Sequence, residues 1–277
     1  MLYDNSRTIN ALGGNSRHSE IFMIVGEGLV FFVILTAGIM VLYSNFKRRE
    51  RKAKSEQNFM LAIAHELKTP LASTRLMLQT IRKRDVSQDQ KESLIDAALT
   101  ENRRLTSLTE NILITSQLEG SASQFSKHPV NIGEVIREVE HSALNTFGTQ
   151  HRIECNVPDE LLALADETAL SLVLSNLMEN ACKYSEPMSR VTVEAYHSDD
   201  EVVITVSDEG QGIPAEEKPH VFDKFYRIGE EQVRKTKGSG LGLYITKLIV
   251  RWHDGTITVE DNQPKGTKFV VRLPLQE

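Results

Sequence analysis

The segment AIAHELKTPLAS, residues 62–73, sets His65 directly beside Glu66 in a stretch with helical patterning. A histidine–glutamate pair on a helix is first a zinc signature, in which a second histidine one turn on completes the metal site. Thr69 stands in that place, so the zinc reading loses its second ligand. What remains is an imidazole with an adjacent carboxylate, and its purpose must be read from the rest of the chain.

Four further segments are chemically pointed. NLMENACKYS places Asn176 and Asn180 at i, i+4 on one helix face, with Lys183 a turn beyond. Amide oxygens suit a hard cation such as Mg²⁺, and a lysine suits phosphate. SDEGQGIP sets Asp208 at the end of an alternating strand, before Gly210 and Gly212. Glycines there allow a tight turn and close backbone approach, and the carboxylate can accept the exocyclic amine of a base. GSGLGLYI opens a helix with Gly238, Gly240 and Gly242, a cradle for phosphate at the positive end of the helix dipole. Between the glycine segments lies HVFDKFYRIGEEQVRKTK, a charged stretch that Phe222 and Phe225 would anchor. Each segment alone has an ordinary structural explanation, since glycines serve turns and asparagines cap helices. The glycine spacing also lacks the βαβ context of a dinucleotide fold. Four such segments in this order are compatible with one nucleotide pocket.

The elements that must position these residues follow from patterning. Of 277 residues, those from 39 to 119 include no glycine and one proline, Pro70. Phe59, Ile63, Leu67, Leu71, Thr74, Leu78 and Ile81 recur at three- and four-residue steps, the seam of a bundle helix. Leu94, Ala98, Leu105, Leu108 and Ile112 mark a second helix after the break at RDVSQDQ. The two form an antiparallel hairpin whose natural completion is a homodimeric four-helix bundle. His65 falls about 200° around the helix from both Ile63 and Leu67 and so faces solvent. Pro70 cannot donate to the carbonyl of Glu66 and loosens the helix beside His65.

After residue 126 the period changes. NIGEVIREVEHSAL and LGLYITKLIVRWH read as helices, and a third runs from Asp166 as N-cap through the asparagine segment. HRIECNV, LLALA, RVTVEAYHS, EVVITVSDEG, GTITVED and GTKFVVRLP read as strands, the last two as a closing hairpin. Helices on one face of a mixed sheet give an α/β sandwich.

Residues 21–43 form an apolar run of roughly 34 Å as a helix, enough to cross a hydrocarbon core of about 30 Å. Lys47, Arg48, Arg49, Arg51, Lys52 and Lys54 follow it, whereas only Arg7 and Arg17 precede it. The positive-inside rule therefore places everything from Ser44 onward in the cytoplasm. The expected organisation is a tail (1–20), a transmembrane helix (21–43), a helical linker (44–58), the hairpin (59–119) and the α/β domain (127–277). A net charge of −6 argues against a nucleic-acid partner. Cys155 and Cys182 match no paired metal spacing and read as reduced thiols.

From His65 onward the chain resembles the bacterial sensor histidine kinases of two-component systems. HELKTP is similar to their phosphoacceptor box, NLMENACKYS to the N box, DEGQGIP and GSGLGLYI to the two glycine boxes, and VFDKFYR to the F box. The resemblance implies a dimerising phosphotransfer hairpin and an ATP-binding domain of the gyrase and MutL kind, located at a bacterial inner membrane. It makes His65 the nucleophile, Glu66 its general base, Asn180 the Mg²⁺ ligand and Asn176 its support. Lys183 and Arg227 would contact phosphate, Tyr184 would pack on adenine and Asp208 would read its amino group. Gly210, Gly212, Phe225, Lys237, Gly238, Gly240, Leu241 and Gly242 would complete the ATP site, with residues 229–237 as its lid. Thr69 would position water for dephosphorylating a response regulator, whose receiver domain would dock near residues 73–84. With one span and a tail of about twenty residues, no dedicated external sensor domain is expected. A catalytically silent membrane scaffold would share the fold, but His65, Asn180 and Asp208 are all present. A related ATPase that moves partners would have no use for the phosphoacceptor box.

Overall fold

A computed structural model describes residues 5–83, 86–120, 126–147, 151–228 and 239–275. The chain divides into two compact units, residues 1–61 and 62–277. The first is helical throughout its described residues, as part of α1 (Asn5–Lys83). Within it the segment Gly26–Glu50 is long and apolar enough to cross a membrane, with a mean hydropathy of 2.1. Phe31, Phe32, Ile34 and Met40 are all exposed on it. Two of its hydroxyls are turned back onto the helix: Thr36 Oγ1 donates to the carbonyls of Phe32 and Val33 at 2.9 Å, and Ser44 Oγ to that of Val41 at 2.8 Å. Such back-bonding satisfies polar groups where no water is available.

The second unit opens with the end of α1 and with α2 (Gln88–Gly120). Long glycine-free runs favour helix, and α1 continues through Pro70, whose side chain is buried. Of the expected seam, Ile63, Leu67, Thr74 and Ile81 are half-buried, while Leu71 and Leu78 are exposed, as are Leu76, Leu99 and Leu113. The hairpin therefore presents an apolar surface that one copy of the chain does not cover.

The α/β part follows in the order β1 (His128–Asn131), α3 (Ile132–Phe147), β2 (Arg152–Asn156), β3 (Leu162–Ala165), α4 (Glu167–Tyr184), β4 (Arg190–Ser198), β5 (Glu201–Asp208), α5 (Gly242–Trp252), β6 (Thr256–Asp261) and β7 (Thr267–Pro274). The main sheet has the strand order β2-β4-β5-β7-β6. β2 runs parallel to β4, and the remaining pairs are antiparallel. A small second sheet pairs β1 with β3, antiparallel, with Val130 opposite Ala163. Strand β1, HPVN, was not expected from the sequence. It is too short for a visible alternation and exists through its partner.

The core lies between the sheet and the helices. Ile132 and Ile136 of α3, Leu174, Leu177 and Met178 of α4, and Ile245 and Ile249 of α5 are all essentially inaccessible. Val191, Val193, Ile204 and Val271 meet them from the sheet. Burying one such side chain contributes about 1.5–3 kcal/mol, so α4 and α5 are fixed firmly enough to hold a site between them.

Candidate active site

The phosphoacceptor segment lies in the middle of α1. His65 and Thr69 are exposed and Glu66 is half-buried. Thr69 Oγ1 makes only a long contact of 3.5 Å with the His65 carbonyl, leaving its hydroxyl at the surface one turn after the imidazole. Glu66 Oε2 accepts from Arg104 Nη2 of α2 at 3.1 Å.

The N box occupies the second half of α4. Asp166 caps that helix, its Oδ1 accepting from the Ala169 amide at 2.9 Å. His253, just after α5, braces the cap: its Nε2 accepts from the Asp166 amide at 2.9 Å, and its Nδ1 donates to the Ile249 carbonyl at 2.8 Å. An imidazole that accepts at one nitrogen must be neutral, and burial lowers its pKa accordingly. Asn176 and Asn180 are half-buried on α4, whose fully buried residues include Leu174, Leu177, Met178 and Ala181. Burial lowers the Lys183 pKa. Glu179 opposes that shift, and the positive charges of Arg227 and Arg104 add to it.

Asp208 ends β5 and is buried, with 4% of its surface exposed. Its Oδ1 accepts from the amides of Gly210 (2.8 Å) and Thr267 (3.2 Å). Burial raises its pKa, and these two hydrogen bonds act in the opposite direction. Its carbonyl accepts from Asn262 Nδ2 at 2.8 Å. Gly210 must be glycine for a steric reason, since a Cβ would stand 2.5 Å from the Tyr184 carbonyl.

The boxes meet. Asn176 Nδ2 donates to the Gly242 carbonyl at 3.3 Å, joining the N box to the second glycine box. The Phe225 amide donates to the Gly240 carbonyl at 3.0 Å, joining the F box to the same loop. Phe225 sits in the left-handed region (φ 59°), as does Gly240 (φ 70°). A Cβ on Gly240 would come within 2.8 Å of the Phe225 backbone. Leu241 is fully buried and Gly242 begins α5, whose first turn carries Tyr244. Tyr244 Oη donates to Glu119 Oε1 near the end of α2, and Lys224 Nζ reaches the same oxygen at 2.6 Å.

Of the expected nucleotide residues, Asn176, Asn180, Lys183, Tyr184, Asp208, Gly210, Gly212, Phe225, Arg227, Gly240, Leu241 and Gly242 are on segments drawn together around α4 and the end of β5. Tyr184 is exposed, with Lys183 Nζ 5.7 Å from its ring centre. Lys237, Gly238 and the expected lid, residues 229–237, lie outside the described residues. The brace formed by Asn262, Gly266 and Thr267 was missed. DNQPKGT reads as a turn, but nothing in it announces a contact with a residue some sixty positions earlier.

Comparison with known proteins agrees with this geometry. Residues 55–121 match the His Kinase A (phospho-acceptor) domain. Residues 165–277 match the histidine kinase-, DNA gyrase B- and HSP90-like ATPase family. A helical phosphoacceptor hairpin joined to an ATPase sandwich of this kind defines a class of signalling protein. The chain belongs to that class, the sensor histidine kinases of two-component systems. Its relatives include the heme sensor protein HssS of Staphylococcus haemolyticus, 32% identical over 219 residues, which are 79% of this chain and 47% of that protein. The solved Acinetobacter baumannii histidine kinase AdeS shares the fold, with a TM-score of 0.61 at 22% identity over 77% of this chain and 98% of that one. ShkA, crystallised full-length with AMPPNP, gives a TM-score of 0.57 at 25% identity over 79% of this chain and 45% of that one. The chain spans about half the length of the curated relatives it matches.

Proposed function

We propose that this chain is a membrane-anchored, ATP-dependent protein-histidine kinase. It would phosphorylate its own His65 and pass the phosphoryl group to an aspartate on the receiver domain of a response regulator. The observation that carries this reading is the convergence of all four nucleotide boxes in the unit that also presents an exposed His65 next to Glu66. A nucleotide analogue bound to the related ShkA supports the same assignment for the ATP site.

The residues fit the substrate. Asp208 is a buried carboxylate suited to accepting from an adenine amino group. Lys183, partly withdrawn from solvent and close enough to Arg227 to feel its charge, is suited together with that guanidinium to polyphosphate. Among the described residues no group of three or more His, Cys, Asp or Glu could hold a metal. A Mg²⁺ held at Asn180 would also be met by phosphate oxygens and water, and would neutralise charge on the phosphates. Asn176 anchors the glycine loop to α4. His65 Nε2 attacks the γ-phosphorus in line, and the bond from that phosphorus to the β,γ-bridging oxygen breaks as ADP leaves. Glu66 accepts the Nδ1 proton, which selects the reactive tautomer and removes the charge that develops on the ring. The Nε2–phosphorus bond then breaks as the receiver aspartate takes the phosphoryl group.

The exposed leucines of the hairpin are suited to a second copy of the chain, giving a four-helix bundle. The regulator would dock on the α1 surface beyond His65. Thr69 would act in the reverse reaction by positioning water against a phosphorylated regulator. The segment Gly26–Glu50 would anchor the chain in the inner membrane, with the basic residues after it on the cytoplasmic side.

The test is incubation of the detergent-solubilised chain with γ-labelled ATP. Acid-labile label should appear on the protein and vanish in His65→Gln, which should still bind ATP. Free phosphate without labelled protein would point to an ATPase, and acid-labile label on His65→Gln would place the acceptor elsewhere.

A further inference from the structure

We propose that Arg104, on α2, is a positioning residue for phosphoryl transfer at His65, acting through Glu66. The proposal rests on the kinase reading above. It starts from a bridge across the hairpin that neither the motifs nor the patterning indicates.

Arg104 Nη2 donates to Glu66 Oε2 at 3.1 Å, and its Nη1 lies 3.6 Å from Glu101 Oε2. The groups are shielded from solvent: the side chains of Arg104 and Glu66 are 26% and 16% exposed, and that of Glu101 is 8% exposed. Glu101 is one turn before Arg104 on the same helix and holds the guanidinium from behind. The other nitrogen is thereby presented to α1. A planar fork with two separate arms can serve two carboxylates at once, which a lysine ammonium does less well.

What this does for Glu66 is conformational. A glutamate on a helix surface has several rotamers of similar energy, and fixing one costs conformational freedom. The fork meets that cost before substrate arrives, so the carboxylate that must take the Nδ1 proton is already restricted in orientation. Small losses of orientation in a reacting pair are expensive in rate. The same guanidinium is near enough to Lys183 of the N box for its charge to depress that amine. Arg104 thus stands where the phosphoacceptor helix and the nucleotide domain come together.

The experiment uses the full-length chain in detergent. Initial rates of acid-labile phosphorylation at saturating ATP are measured for wild type, Arg104→Met, Arg104→Lys, Glu66→Gln and the double variant Arg104→Met/Glu66→Gln. Arg104→Met is expected to lose about tenfold or more, and Arg104→Lys to recover part of that loss. In the Glu66→Gln background, Arg104→Met should cost no further rate, because its effect passes through the missing carboxylate. An equal proportional loss in both backgrounds, or an unchanged rate in Arg104→Met, overturns the proposal. Binding of a fluorescent ATP analogue verifies folding, and Arg104→Lys carries the same two-background comparison if the methionine variant does not fold. A wild-type chain that takes no acid-labile label would instead overturn the kinase reading, and with it this inference.

Discussion

The backbone amide of Thr267 points at Oδ1 of Asp208 from 3.2 Å, so the start of the last strand holds the carboxylate that ends β5. Together with the Gly210 amide it fixes the acid in a buried place where its charge is poorly solvated. The raised pKa has a definite sign for stability. A carboxyl whose folded pKa exceeds its unfolded value of about 3.9 favours folding below that value and loses this contribution as pH rises through the folded pKa. Relative to its protonated form, the ionised group destabilises the apo fold.

Asp208→Asn should therefore separate stability from function. The amide oxygen can still accept from Gly210 and Thr267, so the melting temperature of the apo protein at pH 7 should equal or exceed that of wild type. Its affinity for ATP should fall about tenfold or more, since the charged hydrogen bond proposed to the adenine amino group, worth about 1.5–3 kcal/mol, would be lost. Calorimetry on both proteins checks the two halves together.

Gly266→Ala should damage the site from a distance. Its φ is 114°, and a Cβ there would stand 1.9 Å from the Asp208 carbonyl oxygen. The turn would have to move, taking the Thr267 and Asn262 contacts with it. We expect a loss of about 2 kcal/mol or more and weakened nucleotide binding, read by thermal unfolding with and without an ATP analogue.

His253 gives an acid limb to the stability of the nucleotide domain. Its neutral ring is required by the Asp166 and Ile249 contacts, and its folded pKa is lowered. The stabilisation is fully present above the unfolded value of about 6.5 and is lost as pH falls from there toward the folded pKa. Melting temperature should drop between pH 7.5 and 5.5, and the drop should be smaller by at least about 2 °C in His253→Asn. Equal slopes in the two proteins would show that other groups carry the acid limb.

Thr69→Ala should leave autophosphorylation within about twofold of wild type and abolish dephosphorylation of the partner regulator. The hydroxyl contributes little to the helix, its contact with the His65 carbonyl being 3.5 Å long. Dephosphorylation at equal rates in the mutant and wild type would remove Thr69 from the reverse reaction.

Helix-borne features were the most legible in the sequence. Asn176 and Asn180 share a face because they are four apart, and the Asp166 cap was read from residue type and position. The strands of the main sheet showed themselves by alternation. Strand β1 did not, because four residues containing Pro129 have no period and take their form from β3. Nor could the sequence show that Arg104 reaches Glu66 across 38 positions, or that Phe225 adopts a left-handed backbone to meet Gly240. Those features depend on tertiary closure, which brings together segments whose local preferences say nothing of each other.

Lys183 has a further consequence in the language of chemical labelling. Its lowered pKa means that, near neutrality, a larger share of its amine is unprotonated than in a solvated lysine. An unprotonated amine acylates readily. If Lys183 meets phosphate as proposed, the same amine is also a nucleophile at the nucleotide pocket, beside the buried and unreactive Cys182, whose thiol is pushed up to about 11. An adenine nucleotide carrying an electrophile in place of its terminal phosphate would be directed to that amine by the site itself, and the covalent bond would form on the helix that carries the N box.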